Sequence, residues 1–182
     1  MAAPAEITLD NLSGRWSMNL ALSDPYDLIL KAQGVNWLTR KVLTVGTFTL
    51  TIQETVDEAG LTHLVIDTKP GSGLPGTTER RVLNDEPSEL THPLFGKIRG
   101  RTKWLAPAEL PSEWLGAGFE DGTVKTMLMT TDHLDIDAIT YQAGAFQVIK
   151  EERRYVRNVE VQRGDESQRV KLVYDYLGPL EA

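Results

Sequence analysis

Arg157 is the residue whose surroundings most demand a chemical explanation. In Tyr155-Val156-Arg157-Asn158-Val159-Glu160-Val161 the residue types alternate. A strand there carries Tyr155, Arg157, Val159 and Val161 on one face and Asn158 and Glu160 on the other. A guanidinium on an apolar face needs a partner, because an isolated buried charge is strongly unfavourable. Solvent at a strand end, a neighbouring carboxylate or the polar end of a ligand can each fill that role. Its planar fork suits a carboxylate, enol or phenolate oxygen. Tyr174 and Tyr176 share a face of the last alternating stretch with Leu172 beside them. Together with Tyr155 they can line a cavity and orient a polar group, or simply pack as a wall. Met127 and Met129 also share a strand face and suit an adaptable apolar surface. Trp37, in a short helical stretch, either meets a ligand or staples the helix. Arg157, Tyr155, Tyr174, Tyr176, Trp37, Met127 and Met129 are therefore the candidate ligand-binding residues.

Acid–base candidates are sparser. His63, His92 and His133 are scattered, without the close spacing of a metal site. His133 precedes Asp135 and Asp137 at two-residue spacing, which fits a proton shuttle or an exposed polar face opposite Leu134, Ile136 and Ala138. Glu54 continues the face of Phe48, Leu50 and Ile52 and is either an inward carboxylate of raised pKa or an exposed strand end. No phosphate loop, dinucleotide fingerprint, Gly-x-Ser-x-Gly elbow or HExxH motif occurs. No catalytic residue is assigned, and neither a metal nor a cofactor is expected.

These residues need a scaffold. Ser23-Asp24-Pro25 offers an N-cap and a first-turn proline. Tyr26, Ile29 and Leu30 then form one helical stripe, ended by Gly34. Val35, Leu38 and Val42 continue at helical spacing. Helices so short must dock on an apolar partner. Thr47 to Ile52 alternates strictly, and strand patterns follow at His63–Thr68, Thr77–Leu83, Lys97–Leu105, Val124–Thr131, His133–Gln142, Phe146–Lys150, Arg153–Gln162 and Gln168–Leu177. The pattern predicts an all-β fold: a single antiparallel barrel of about ten strands, with a helix-turn-helix lid over residues 24–42 between the first two. Trp16, Phe48, Leu50, Ile52 and Val159 are expected to point inward. One domain spans residues 1–182. The aromatic, Pro- and Gly-rich segment Pro107–Gly122 reads either as a loop packed on itself or as a flap over the mouth.

Gly14-Arg15-Trp16, Tyr26 with Leu30-Lys31, Gly34-Val35 and Thr39-Arg40-Lys41-Val42 together resemble the opening of the intracellular fatty-acid-binding proteins, members of the lipocalin-like (calycin) group. Gly34-Val35-Asn36-Trp37-Leu38-Thr39-Arg40-Lys41 is also similar to small lipocalin-like proteins of filamentous fungi, some associated with secondary metabolism. The closing strand, Val170–Gly178, matches loosely. The resemblance implies a lidded barrel with a hydrophobic ligand. It does not extend to a fatty carboxylate: the family's closing strand carries an Arg-x-Tyr pair, and here Tyr174 stands two residues after Leu172.

Composition narrows the partners. A net charge of −7 argues against nonspecific nucleic-acid binding, and the basic clusters Arg80-Arg81, Lys97–Lys103 and Arg153–Arg157 read as solvated strand faces. The absence of cysteine excludes disulfides and a thiol nucleophile. The sequence has no apolar run of membrane-spanning length and its first residues do not read as a secretory signal, so a cytoplasmic protein is expected. The expected function is binding of a hydrophobic small molecule as carrier or sequestering protein. The alternative is a cofactor-free cyclase, isomerase or dehydratase acting on a polyketide- or terpenoid-type intermediate of fungal secondary metabolism.

Overall fold

The computed structural model describes residues 1–181. β1 (Gly14–Met18) leads into two short helices, α1 (Asp27–Ala32) and α2 (Trp37–Leu43). Strands then follow: β2 (Phe48–Val56), β3 (Thr62–Pro70), β4 (Thr77–Val82), β5 (Ser88–His92), β6 (Gly96–Leu105), β7 (Thr126–His133), β8 (Ala138–Ile149), β9 (Glu152–Arg163) and β10 (Glu166–Gly178). The ten strands pair in the order β4-β3-β2-β1-β10-β9-β8-β7-β6-β5, antiparallel throughout. The sheet curls into the expected barrel through the pairing of β1 with β10. The ladder leaves β4 and β5, consecutive in the chain, as its two unjoined edges.

The two-residue repeat puts Trp16, Leu50, Ile52, Leu64, Ile66 and Val159 into one buried core, with Phe48 packed against it. The chain direction then decides what closes each end. α1 and α2 lie where β1 finishes and β2 starts. The opposite end is filled by Ala3, Ile7, Leu9 and Leu12 of the N-terminal segment, all buried in the same core. Trp16 Nε1 donates to the Leu12 carbonyl at 3.2 Å, and the Glu54 carboxylate accepts the Leu12 N–H at 2.8 Å. Glu54 thus ties the plug to β2.

The lid differs in detail from the expectation. Ser23 and Asp24 do not cap α1, which starts at Asp27 with no side-chain cap. Their oxygens instead accept backbone N–H groups of β10, from Val173 at 2.9 Å and Lys171 at 2.7 Å. The side-chain cap is on α2, where Asn36 accepts the Thr39 N–H at 3.0 Å. Tyr26, Ile29, Leu30 and Val35 are buried, and α2 turns Leu43 inward, leaving Leu38 exposed. Two elements near the barrel mouth also changed. The strand at Ser88–His92 lacks an apolar repeat, so alternation gives no sign of it. The stretch from His133 is interrupted by a turn, so Asp135 and Asp137 do not share a strand face with it.

Residues 107–122 cover the outer face of the barrel wall. They contain two 3-10 turns, Pro107–Glu109 and Glu113–Gly116. The Asn158 amide donates to the carbonyls of Leu115 and Ala117 at 3.1 and 3.0 Å, and Ser112 donates to Glu160 at 2.6 Å. Leu115 is fully buried.

Gly144 on β8 makes room for the ring of Tyr155: a Cβ there would sit 2.6 Å from the Tyr155 hydroxyl oxygen. Tyr155 is completely buried and has nowhere to retreat. Gly144→Ala is expected to destabilise the fold by about 1–3 kcal/mol, as overpacking does, and to lower the thermal midpoint by several degrees. An unchanged midpoint would show that the wall yields.

Candidate functional site

The register decides which side chains look inward. Residues opposite one another on paired strands share a face, so the buried Leu64 and Ile66 bring Arg81 and Glu79 inside with them. On β6, Thr102 lies opposite the inward Met129. On β9, Arg157 lies between Gly144 of β8 and Leu172 of β10.

Arg157 is 8% exposed. Its Nε donates to the Tyr155 hydroxyl at 3.3 Å, and its guanidinium lies 5.6 and 5.5 Å from the ring centres of Tyr155 and Tyr174. Its Nη2 is buried without a hydrogen-bond partner. Burial opposes the charge, but the tyrosine oxygens and Glu79 outweigh it and hold the pKa above the ordinary arginine value. Burial raises the Tyr174 pKa, against the pull of Arg157, so the hydroxyl keeps its proton. The wall therefore carries a permanent cation with a free donor among aromatic rings.

Across the interior, Glu79 and Arg81 of β4 form an ion pair at 2.6 Å. Arg81 Nη1 also donates to the Thr102 hydroxyl at 3.2 Å. Burial raises the Glu79 pKa, but the charge and hydrogen bonds of Arg81 dominate and keep it below the ordinary carboxylate value. These residues line a cavity of about 430 Å³ between β4 on one side and β5 and β6 on the other, within the size range of small-molecule sites. His92 is on its rim, stacked on Phe95 at 4.6 Å. His133 is buried nearby in the core wall, its Nε2 2.9 Å from the Thr140 hydroxyl, which also takes the amide of Gln33 from the lid at 3.2 Å.

The candidate residues divide by location. Arg157, Tyr155 and Tyr174 meet in one cluster, with Met127 and Met129 buried in the same core. Tyr176 is partly buried one step further down β10, edge-on to Trp16 at 4.9 Å. Trp37 is 63% exposed on α2 and is not brought to the others. Its position beside the Asn36 cap turns it to solvent. His133 is not on an exposed polar face, because β7 ends there and the turn carries Asp135 away to accept the Lys97 N–H. Nor are Arg80-Arg81 a solvated pair: Arg80 is exposed, while Arg81 points inward to Glu79. Glu79 and Arg81 are hidden in the sequence because β4 has a polar inner face; Thr102 on β6 and Gln33 at the end of α1 carry no local signal of their own. The only trace of them is that alternation places Glu79 and Arg81 on one face. Among the described residues no group of three His, Asp or Glu is placed to hold a metal ion.

No protein-family model matches the chain. Two curated proteins match it along its length. It is 42% identical over 184 residues to the probable pericyclase scpY of Mollisia scopiformis, covering 100% of this chain and 97% of the relative. It is 40% identical over 182 residues to the pericyclase pydY of an Acremonium species, covering 98% of each. Among solved structures, the REP1-NXSQ fatty acid transporter superposes with a TM-score of 0.57 at 19% identity, over 93% of this chain and 98% of that one. Fatty-acid-binding protein 1 of Echinococcus granulosus gives 0.56 at 16% identity, over 91% and 97%. These structural likenesses concern the fold.

His92 and His133 both titrate below the ordinary 6.5, chiefly because burial disfavours the imidazolium. Glu79 opposes this at His92 and Asp132 at His133. The unfolded chain therefore takes up these protons first as pH falls. Their contribution to stability is fully present above about pH 6.5 and is lost below it. Thermal melts are expected to show a lower midpoint at about pH 5.5 than at about pH 7.5, and the His92→Gln/His133→Gln variant a shallower decline. Equal slopes would show that these imidazoles accept protons inside the fold.

Proposed function

The chain belongs to the family of these two fungal pericyclases, and from that premise we propose that it is itself a pericyclase. It holds a flexible, conjugated, hydrophobic substrate inside the barrel and promotes its cyclisation. The observation that carries this is the unpartnered Nη2 of Arg157, a buried donor in a wall of Tyr155, Tyr174, Met127 and Met129. A pericyclic step redistributes bonds round a ring in one event, so it requires neither a proton acceptor nor an electron carrier. What a protein supplies is shape and one well-placed charge. Apolar walls fold the chain so that its reacting ends approach at about 3–3.5 Å. A guanidinium N–H on a conjugated carbonyl draws electron density from the π-system and stabilises the polarised transition state more than the ground state. Arg157 is suited to this because Tyr155 fixes its Nε and leaves Nη2 free.

A carrier would share the binding half of this function. The barrel favours that reading by its cavity, so turnover has to separate the two. Incubating the purified protein with the linear precursor that accumulates when its gene is deleted should yield cyclised product as one stereoisomer, measured by chiral chromatography with mass spectrometry. Arg157→Leu should slow turnover by about 30- to 900-fold, corresponding to about 2–4 kcal/mol for a lost charge-assisted donor. Its fold should be as stable as the parent or more so, since an unpaired buried donor has been removed. Tyr174→Phe should slow turnover less, because the ring remains beside the guanidinium. Unchanged turnover in folded Arg157→Leu would reduce Arg157 to a structural residue. Recovery of the precursor unaltered would make the protein a carrier.

A further inference from the structure

We propose that the turn of residues 93–95, between β5 and β6, is a pH-operated gate at the rim of the cavity. Neutral His92 holds the turn shut, and a second proton on the His92 ring releases it. The gate acts in the same way whether the interior cyclises its ligand or only carries it.

The hydrogen bond that closes the turn fixes the state of the ring. The Leu94 N–H donates to His92 Nδ1 at 3.1 Å. A backbone N–H only donates, so Nδ1 offers its lone pair and the ring proton is on Nε2. A side-chain acceptor bonded to the N–H two residues on, with proline between, is the pattern in which Asn or Asp starts a turn. Histidine differs in one respect: its acceptor takes up a proton within the physiological range of pH. Once Nδ1 is protonated, two N–H groups face each other and the bond is lost.

Three features direct that loss to the cavity. His92 and Pro93 line it, and Leu94 and Phe95 pack against the core beside them. The Phe95 ring stacks on His92 at 4.6 Å and meets His133 at 5.6 Å, so the turn hangs on one small cluster. β5 pairs with β6 alone, and no second strand holds this edge in place. The charged groups acting on the ring are Glu79 and Arg81 of β4. Across Phe95 stands His133 of β7, beside Asp132, and the two imidazoles oppose each other's protonation. Burial holds the His92 pKa below 6.5; Glu79 works against this and Arg81 with it. The gate is therefore shut above about pH 6.5 and opens on acidification.

The test reads hydrogen exchange of the Leu94 amide by NMR in the isotope-labelled full chain, with the His92 ring followed in the same samples. At about pH 7.5 the ring should carry its proton on Nε2 and the Leu94 amide should be protected. As His92 titrates, that protection, relative to an unstructured chain, should fall about tenfold or more, while β8 and β9 amides keep theirs. His92→Asn retains an acceptor that does not titrate, so its Leu94 amide should stay protected at about pH 5. His92→Ala has no acceptor and should lack the protection at both pH values. Access is read by stopped-flow uptake of Nile red, an uncharged dye that fluoresces in apolar surroundings. At about pH 7.5 uptake should be about tenfold faster in His92→Ala than in the wild type. The wild type should approach the His92→Ala rate at about pH 5, and His92→Asn should remain slow. Circular dichroism at each pH identifies the folded samples. Constant Leu94 protection through the His92 titration overturns the proposal, as does a ring that stays neutral until the fold is lost. An equal fall in folded His92→Asn overturns it too. So do equal Nile red rates, or no uptake, in the wild type and folded His92→Ala. If neither variant folds, wild-type exchange and uptake must both follow the His92 titration, and a different midpoint in either overturns the gate.

Discussion

The buried aromatic cluster around Trp16 is the contact on which the interior depends. Trp16 has no exposure and meets Tyr176, Tyr155 and Phe146 at 4.9, 5.5 and 6.4 Å between ring centres. Tyr155 in turn lies 5.8 Å from Tyr174. These rings come from β1, β8, β9 and β10, so one packing event joins the start of the barrel to its end. Tilted and edge-on contacts of this kind contribute about 0.5–1.5 kcal/mol each beyond their buried area. Their greater effect is geometric. A Tyr155 ring clamped by Trp16 and Phe146, over a glycine at 144, holds its hydroxyl in one place. That hydroxyl is the acceptor for Arg157 Nε. The guanidinium is positioned by the core rather than by a flexible ion pair.

The wall that carries Arg157 is buried on both sides, which is uncommon for an antiparallel sheet. On the outer face, Arg154, Asn158 and Glu160 are nearly inaccessible because residues 107–122 and the N-terminus lie over them. Arg154 pairs with Asp175 and Glu152, and Glu160 with Arg169, Ser112 and Ser167. β9 therefore alternates between two polar networks with different purposes. Outward, every charge meets an opposite charge. Inward, Arg157 meets the Tyr155 hydroxyl and the rings of Tyr155 and Tyr174, and the charge of Glu79 also favours its protonated form.

The parts of this molecule legible from sequence were those governed by period. Thr47–Ile52 alternates because one face is buried and the other is not, and the same logic located Arg157 from Tyr155, Val159 and Val161. The lid was readable as two short helices divided by Gly34, whose φ of +82° suits a residue without Cβ. The capping was not, since Ser23 and Asp24 have helix-capping chemistry but bond instead to β10, some 150 residues away. Glu79 and Arg81 were hidden for a related reason. The pattern Thr77-Thr78-Glu79-Arg80-Arg81-Val82 contains polar residues on both faces, so nothing local says which face is the inside. Only the pairing of Arg81 with Leu64 and of Glu79 with Ile66 decides it, and pairing is a long-range fact. Trp37, read from the sequence as meeting a ligand or stapling the helix, is 63% exposed on α2, while Leu43 takes the buried position.

This also explains why a site of this kind leaves no motif. Sequence motifs arise where chemistry needs several groups within one turn, as a phosphate loop or a nucleophile elbow does. Here Arg157 and Tyr155 stand on β9, Tyr174 on β10, and Glu79 and Arg81 on β4, so the groups proposed for the site are brought inside only by long-range strand pairing. A single positioned donor contributes roughly a hundred- to a thousandfold in rate. The remainder of any acceleration must come from folding the substrate against apolar walls, a task shared by many interchangeable side chains. The broken ladder between β4 and β5 reconciles these demands. A fully hydrogen-bonded barrel of this girth would close over its own core. Leaving one seam unpaired gives up main-chain hydrogen bonds and keeps a cavity of about 430 Å³ whose lining includes Glu79, Arg81 and Thr102.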